Sequence, residues 1–482
     1  SAASDVYKRQ VYVGFGIFFQ SHFCFGTTID GIKAGGKSVE KVEQLITEEI
    51  DSYVLNLAER EDGSESISGE SIQIAPVFNG EVEELLNGQN GFAWVVTLFK
   101  HDNLELAKVV TFDEDALDSQ IDQLNCMQAS EQREPVDATV SAYTADGYSL
   151  VPADYGTTID KNTFKKAVED SILVLADELD LDEADCYVKP EIEDDNEKLL
   201  AVIDEMNSYV GTTITYDFDV AKEVLDGERI SEWLSVDDDL NLVVDEEGVL
   251  SFVKELASEY NTCYKPKELK TSYGSTVTIS NGPYGWKINN SEEVAQILDD
   301  LKAGKKVERE PVYAQTANSH GENDYGNSYV EINLTAQHLF LYKDGVLVTE
   351  SDFVSGNVAK GHATPGGAFM LTYKTLNAVL RGPDYETPVT YWMPFNGDIG
   401  MHDLTSRKAF GGDIYKTRGS HGCINLPYSA AKKIYETIDK GYCVLVYNLP
   451  GTESDTVKQK EATAVVNTIN SIGTVTCLLY TS

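Results

Sequence analysis

Positive charge is scarce in this chain of 482 residues: Lys plus Arg number 38 against 80 Asp plus Glu, a formal net charge of −42. A free polyanion of that size is repelled by phosphate backbones, so nucleic acid is excluded as a partner. Cysteine is sparse too, with seven residues at 24, 126, 186, 263, 423, 443 and 477 and no CxxC pair. That argues against a zinc ribbon and against a dense disulfide framework. Long apolar runs are also missing at the start: VYVGFGIFF (11–19) falls well short of the ~20 residues a bilayer span needs.

Against these absences stand 42% hydrophobic and 10% aromatic residues, enough to bury real cores. The length predicts roughly two to four domains. Both ends are set apart. SAASDVYKRQ (1–10) and CLLYTS (477–482) read as translated sequencing-adapter sequence, so the native reading frame is expected to run beyond both. Residues 11–25 are then expected to be the remnant of an N-terminal membrane anchor, with a buried strand as the alternative.

From Thr27 a unit recurs: a short extended stretch, a turn and an amphipathic helix. Val39, Val42, Leu45, Ile46 and Ile50 fall on one helical stripe after Ser38 as N-cap. Phe164, Ala167, Val168 and Ile172 repeat the layout, and in 286–301 Asn290 and Glu293 have capping-box spacing. The recurrence predicts two α+β accessory modules, 27–170 and 171–312. The acid is densest in EIEDDNE (191–197) and SVDDDLNLVVDEEG (235–248). The second lacks the sixth-position Gly of an EF-hand loop, so it reads as a solvated face.

Polar residues around TANSHGENDYGNS (316–328) predict a linker at 313–325. Beyond it come short alternating strands, SYVEINL, HLFLYK, VLVTESDFVSG, AFMLTYK, VTYWMPF and CVLVYNL, with one helix from Tyr428 to Asp439. They predict an antiparallel β-rich domain over 326–449. It holds 11 acidic and 11 basic residues, so the whole of the −42 lies outside it, and residues 316–449, which carry the motif, are expected to fold and react alone. Residues 450–476 form a tail.

The chemistry concentrates in GMHDLTSRKAFGGDIYKTRGSHGCINLP (400–427). His402 precedes Ser420-His421-Gly422-Cys423-Ile424-Asn425 by 17 intervening residues. A thiol in a Gly-flanked turn is exposed to attack a carbonyl, and a neighbouring imidazole is the usual means of deprotonating it. A zinc site would use His402, His421 and Cys423, but no fourth ligand stands at a normal spacing. No metal and no cofactor are expected.

This stretch resembles the signature of the L,D-transpeptidase catalytic domain (YkuD-type), a His followed after a spacer by Ser/Thr-His-Gly-Cys-hydrophobic-Asn, and 402–425 match it at every defined position. VSGNVAKGHATPGGAF resembles the family's Thr-Pro-x-Gly-x-Phe segment. YWMPFNGDIGMHD resembles the stretch leading to the first His. More weakly, the preceding modules resemble the peptidoglycan-binding modules that often stand before this domain. The fold class expected is therefore multidomain, with a β-rich, β-sandwich-like YkuD domain on the C-terminal side and α+β accessory modules before it.

The resemblance implies roles residue by residue. Cys423 is the nucleophile that attacks the carbonyl between the third stem residue and the terminal D-Ala of a donor tetrapeptide, leaving a thioester. His402 is the general base. Asp403 orients its imidazole, through its backbone carbonyl rather than its side chain. Ser420, His421 and Gly422 shape the loop, and the N–H of Cys423 and a neighbour hold the oxyanion. Tyr391, Trp392, Met393 and Asn425 are candidate substrate-binding residues, with core packing as the alternative for the first three. An acceptor amine from a second stem completes a cross-link between third residues. An L,D-carboxypeptidase that resolves the same thioester with water is the alternative, and a non-catalytic wall-binding surface protein is a third reading. The partners implied are peptidoglycan stem peptides, cell-wall glycan through the accessory modules, and the bacterial membrane through the anchor. The location is extracytoplasmic, facing the wall. Further expectations are a part in cell shape and susceptibility to carbapenems.

Overall fold

The computed structural model describes residues 2–100, 102–106, 109–320, 323–382 and 385–453. The expected tail at 450–476 lies outside the described residues from 454 on, as does 477–482. The chain divides into two units. One comprises Ser1–Ala142 with Ser149–Leu200, the other Tyr143–Tyr148 with Ala201 onward.

The first unit contains α1 (Ala2–Phe18), α2 (Val39–Asp51), β1 (Val54–Ala58), β2 (Ser64–Ser68), α3 (Lys161–Leu173) and β3 (Glu178–Asp180). Residues 11–18 are helical, not a strand. Among the described residues no helix is long and apolar enough to cross a membrane. In α2 the 3.6-residue period puts Val42, Ile46 and Ile50 inside; Ser38 holds the N-cap position without a side-chain bond. α3 is capped by Asp160, which accepts from the Thr163 N–H, and it buries Phe164, Val168 and Ile172. β3 then pairs in parallel with β1. Leu179, Leu181, Cys186 and Tyr187 join the core of Val42 and Leu55. The first unit therefore runs to about residue 200, not to the expected 170, because the strand partner of β1 follows α3 in the chain.

The second unit opens with its accessory part: β4 (Thr213–Asp217), β5 (Lys222–Leu225), α4 (Glu246–Tyr260), β6 (Lys267–Lys270), β7 (Thr276–Ile279), α5 (Asn290–Lys302) and β8 (Lys306–Arg309). β4 lies between antiparallel β5 and parallel β8. Tyr216, Trp233, Val253 and Ile297 fill the core beneath them. The cap of α5 is Asn289, one residue before the expected Asn290. Glu293 turns inward instead, where it meets the Arg309 guanidinium at 2.8 Å and the Tyr216 hydroxyl at 2.6 Å.

The C-terminal part contains β9 (Tyr329–Asn333), β10 (His338–Lys343), β11 (Val346–Asp352), β12 (Gly367–Met370), β13 (Thr375–Gly382), β14 (Tyr385–Asn396), β15 (Ile399–Asp403), β16 (Ile424–Leu426), α6 (Tyr428–Thr437) and β17 (Cys443–Tyr447). They form a five-stranded sheet, β11-β10-β9-β17-β12, and a four-stranded sheet, β13-β14-β15-β16. The core between them includes Val330, Leu341, Met393, Met401, Ile424 and Val446. The sheets are mixed rather than wholly antiparallel: β9 pairs with β17, and β15 with β16, in parallel. Each parallel pair is joined by a long crossover, as parallel strands require.

The expected linker is built into this unit. Tyr313–Gln315 is a strand paired to Lys287–Ile288, and Asp324 and Tyr325 are buried. Leu269, Ile279 and Tyr284 pack with Ala368, Cys443 and Leu445 in one cluster. At the β6–β7 turn, Ser272 donates its N–H and its hydroxyl to the fully buried Glu331 of β9, at 3.0 and 2.6 Å. Cys24, Cys126, Cys186, Cys263, Cys423 and Cys443 are free thiols.

Candidate active site

The β15–β16 ladder assembles the site. Its register sets Met401 beside Ile424 and His402 beside Asn425. Alternate residues share a face, so Cys423, just ahead of β16, falls on the face of Asn425 and His402, one pleat along. The thiol rests against the preceding turn, donating to the Asp398 carbonyl at 3.5 Å. Burial raises its pKa, opposed in part by the Gly400 N–H.

His402 is 4% exposed. Its Nδ1 donates to the Asp403 carbonyl oxygen at 2.9 Å, which leaves Nε2 as the unprotonated nitrogen of the neutral ring. Burial pushes the imidazole pKa below its ordinary value, more than the adjacent Asp403 carbonyl raises it. Both shifts favour the uncharged forms, the protonated thiol and the neutral imidazole. The backbone carbonyl of Asp403 is the group that orients the ring. Its carboxylate has another task, accepting the N–H groups of Thr390 and Tyr391, both at 2.8 Å, which locks β14 to the end of β15.

The loop before Cys423 is pinned at several points. Ser420 Oγ donates to the Cys423 carbonyl at 2.6 Å and accepts the Gly422 N–H at 3.0 Å. That N–H is thereby committed, leaving the Cys423 N–H as the donor at hand for an oxyanion. Gly422 has φ +127°, a conformation side chains rarely adopt. Its carbonyl accepts from the buried Thr364 hydroxyl at 2.6 Å, and Thr364 Oγ1 in turn accepts the Gly356 N–H at 3.0 Å. A Cβ on Gly356 would sit 1.8 Å from the His362 carbonyl oxygen, so only glycine fits there. His421 is exposed, and its ring stacks on Tyr385 at 4.4 Å and lies 4.9 Å from His362.

The four expected substrate contacts separate. The Trp392 ring is 5.9 Å from His402, and its Nε1 donates to Tyr373 Oη at 3.2 Å. Tyr391 and Met393 point the other way, into the core, with Tyr391 Oη 3.4 Å from that of Tyr428. Alternation along β14 makes this unavoidable, so both are core residues rather than walls of the site. Asn425 is buried, its main chain paired to Val354 and its Oδ1 without a partner. Thr364, His362 and Tyr385 were not singled out by sequence; the Thr-Pro-Gly-Gly segment contains the first, but nothing in its spacing points to a role.

For a metal, Glu59, Glu65 and Cys126 bring donor atoms within 4.8 Å of one another. The Glu65 oxygens, however, already accept the N–H groups of Asn125 and Cys126 at 2.8 Å, and burial raises the Cys126 pKa, which disfavours a thiolate ligand.

Comparison with known proteins agrees with this geometry. The family model of the YkuD L,D-transpeptidase catalytic domain matches residues 327–446, and that of a peptidoglycan binding domain matches 195–309. A Cys-to-Ser mutant of the Enterococcus faecium L,D-transpeptidase is 32% identical, covering 51% of this chain and 99% of its own, with TM-score 0.43. The catalytic domain of the E. faecium L,D-transpeptidase, solved by NMR, is 42% identical over 25% of this chain and 97% of its own, with TM-score 0.24. The same domain acylated by ertapenem is 43% identical over 25% and 98%, also with TM-score 0.24. The curated proteins contain no match. With 32% identity across 99% of the enterococcal chain and the catalytic signature inside the matched span, this chain belongs to the L,D-transpeptidases, with a YkuD catalytic domain preceded by a peptidoglycan-binding domain.

Proposed function

We propose that the chain cross-links peptidoglycan stems through a thioester on Cys423. The observation that carries the reading is the imidazole of His402, fixed through Nδ1 on the Asp403 carbonyl and held by the β15–β16 ladder opposite Asn425, two residues after Cys423. Nε2 takes the thiol proton as sulfur adds to the carbonyl of the third stem residue. The Cys423 N–H stabilises the oxyanion. Collapse expels D-Ala, whose amine takes the proton from His402, and leaves the thioester. An acceptor amine then attacks, gives a proton to Nε2, and forms the amide as the thiol is restored. Trp392 walls the His402 side of the site.

Both matched domains act on peptidoglycan, which supports an extracytoplasmic location. A membrane anchor of which residues 11–25 are the remnant would tether the chain there. The acidic accessory parts, repelled by anionic lipid, would hold the neutral catalytic domain towards the wall, serving cell shape. A carbapenem would acylate the same thiol.

The test is incubation of a purified tetrapeptide muropeptide with the chain and with its Cys423→Ala variant, with products weighed by mass spectrometry. A cross-linked dimer formed only by the unsubstituted chain supports the proposal. A tripeptide monomer alone makes the enzyme an L,D-carboxypeptidase, and no product leaves a wall-binding protein.

A further inference from the structure

A cavity of about 720 Å³ opens in the accessory part of the second unit, away from the cysteine site. Its walls include two stacked ring pairs. Tyr260 lies on Phe218 with centroids 3.6 Å apart, and Trp286 on His320 at 3.7 Å. The floor holds Asp324, whose side chain is 6% exposed. One of its oxygens, Oδ2, accepts from Lys267 Nζ at 2.5 Å and from the Thr262 hydroxyl at 2.6 Å. The other, Oδ1, is buried with no partner. An unfilled carboxylate oxygen in such a place is destabilising, and a donor brought by a ligand would fill it.

The charges narrow the donor. The lining sets three ammonium groups, Lys265, Lys267 and Lys270, against three carboxylates, Glu259, Glu268 and Asp324, so the cavity as a whole favours neither a cation nor an anion, and Lys267 already neutralises Asp324 at close range. What remains is a neutral O–H or amide N–H on a molecule with an apolar face for the rings. Of the two halves of peptidoglycan, the sugar strand carries hydroxyls, acetamido N–H groups and C–H faces. The stem also carries amide N–H groups, but it ends in a carboxylate and offers no flat C–H face to the rings.

We infer that this cavity is a saccharide site for the glycan strand, with Asp324 Oδ1 as the acceptor and the Phe218–Tyr260 and Trp286–His320 pairs as its apolar walls. The inference rests on the wall-binding reading above and locates it. The matched peptidoglycan-binding span ends at 309, yet His320 and Asp324 complete the cavity, so the site extends beyond that span into the segment leading to the catalytic strands.

The test measures binding of the full chain to peptide-free glycan strands, to free stem tetrapeptide and to intact sacculi, for the unsubstituted protein and for Asp324→Asn and His320→Ala. Asp324 also holds Lys267, so His320→Ala, which leaves that pair in place, is the second probe. The expected result is binding to glycan strands, weakened about fivefold or more in each variant. Carbapenem acylation of Cys423 should be unchanged, and the tetrapeptide should not compete. Equal binding by all three proteins, or displacement by the tetrapeptide, overturns the site. Binding to sacculi without binding to peptide-free strands overturns the glycan as ligand and leaves wall binding standing. Binding to neither overturns both.

Discussion

Replacing Ser272 by Ala tests how far the catalytic sheet depends on residues that precede it. Glu331 lies in β9 with its side chain fully buried. Its carboxylate is filled by the Ser272 N–H at 3.0 Å, the Ser272 hydroxyl at 2.6 Å and the Tyr447 hydroxyl at 2.5 Å. The substitution deletes the hydroxyl's hydrogen bond to the buried Glu331 carboxylate, a loss of about 1.5–3 kcal/mol, together with its bond to the Tyr342 hydroxyl at 2.7 Å, which the cycle with Glu331→Gln separates from the first. For a unit of this size that lowers the thermal midpoint by several degrees. The assay is denaturant unfolding of the full chain, read by tryptophan fluorescence. A double-mutant cycle with Glu331→Gln isolates the pair: once the acceptor is uncharged, Ser272→Ala should cost markedly less. Additivity within about 0.5 kcal/mol, or no loss in the single variant, would refute the reasoning. The same logic bears on the span 316–449, whose complete motif and neutral charge predict independent folding. Without the β6–β7 turn it loses Ser272, Leu269 and Ile279, so it should fold with lower stability than in the full chain.

Further outcomes follow from the site. Cys423→Ala should abolish the covalent adduct with a carbapenem, seen by intact mass, while the far-ultraviolet spectrum stays unchanged. Because burial holds the His402 pKa below 6.5, and only the neutral ring accepts a proton, the acylation rate should be retained at neutral pH and fall as pH drops through that depressed value. A kinetic midpoint above 6.5 contradicts this assignment. Asp403→Asn should retain most acylation, since the backbone carbonyl orients the imidazole; loss comparable to Cys423→Ala would show that the carboxylate charge is needed. Thr364→Val, which frees the Gly422 carbonyl, should slow acylation by about tenfold, and Thr364→Ser should restore it.

The parts of this protein legible in its sequence are those whose residues act as neighbours in the chain. Ser420 to Asn425 are contiguous because a tight turn must present sulfur, and His402 joins them by one strand pairing. The core strands were readable where apolar residues recur, as in Cys443–Tyr447, buried throughout. Thr375–Gly382 was not, since none of its residues is buried and a strand with no inner face has no alternation to read. Parallel pairing was also hidden, because register across a long crossover leaves no local mark.

What stayed out of reach is the set of bonds between distant polar groups. Thr364 holds the Gly422 carbonyl across 58 residues, and Lys267 holds Asp324 across 57. A polar, Gly- and Asn-rich stretch such as 316–328 reads as solvated linker for the same reason: composition reports the hydrogen-bonding capacity of a side chain, not whether a partner fills it. Asp324 is buried on Lys267 and Thr262, and Asn318 donates to the Tyr325 and Ser328 carbonyls, so the described part of the segment is tied to the fold where hydrophobicity alone predicts a free linker. The catalytic motif therefore comes from local chemistry. The scaffold that aims it comes from buried polar contacts that only the folded chain assembles.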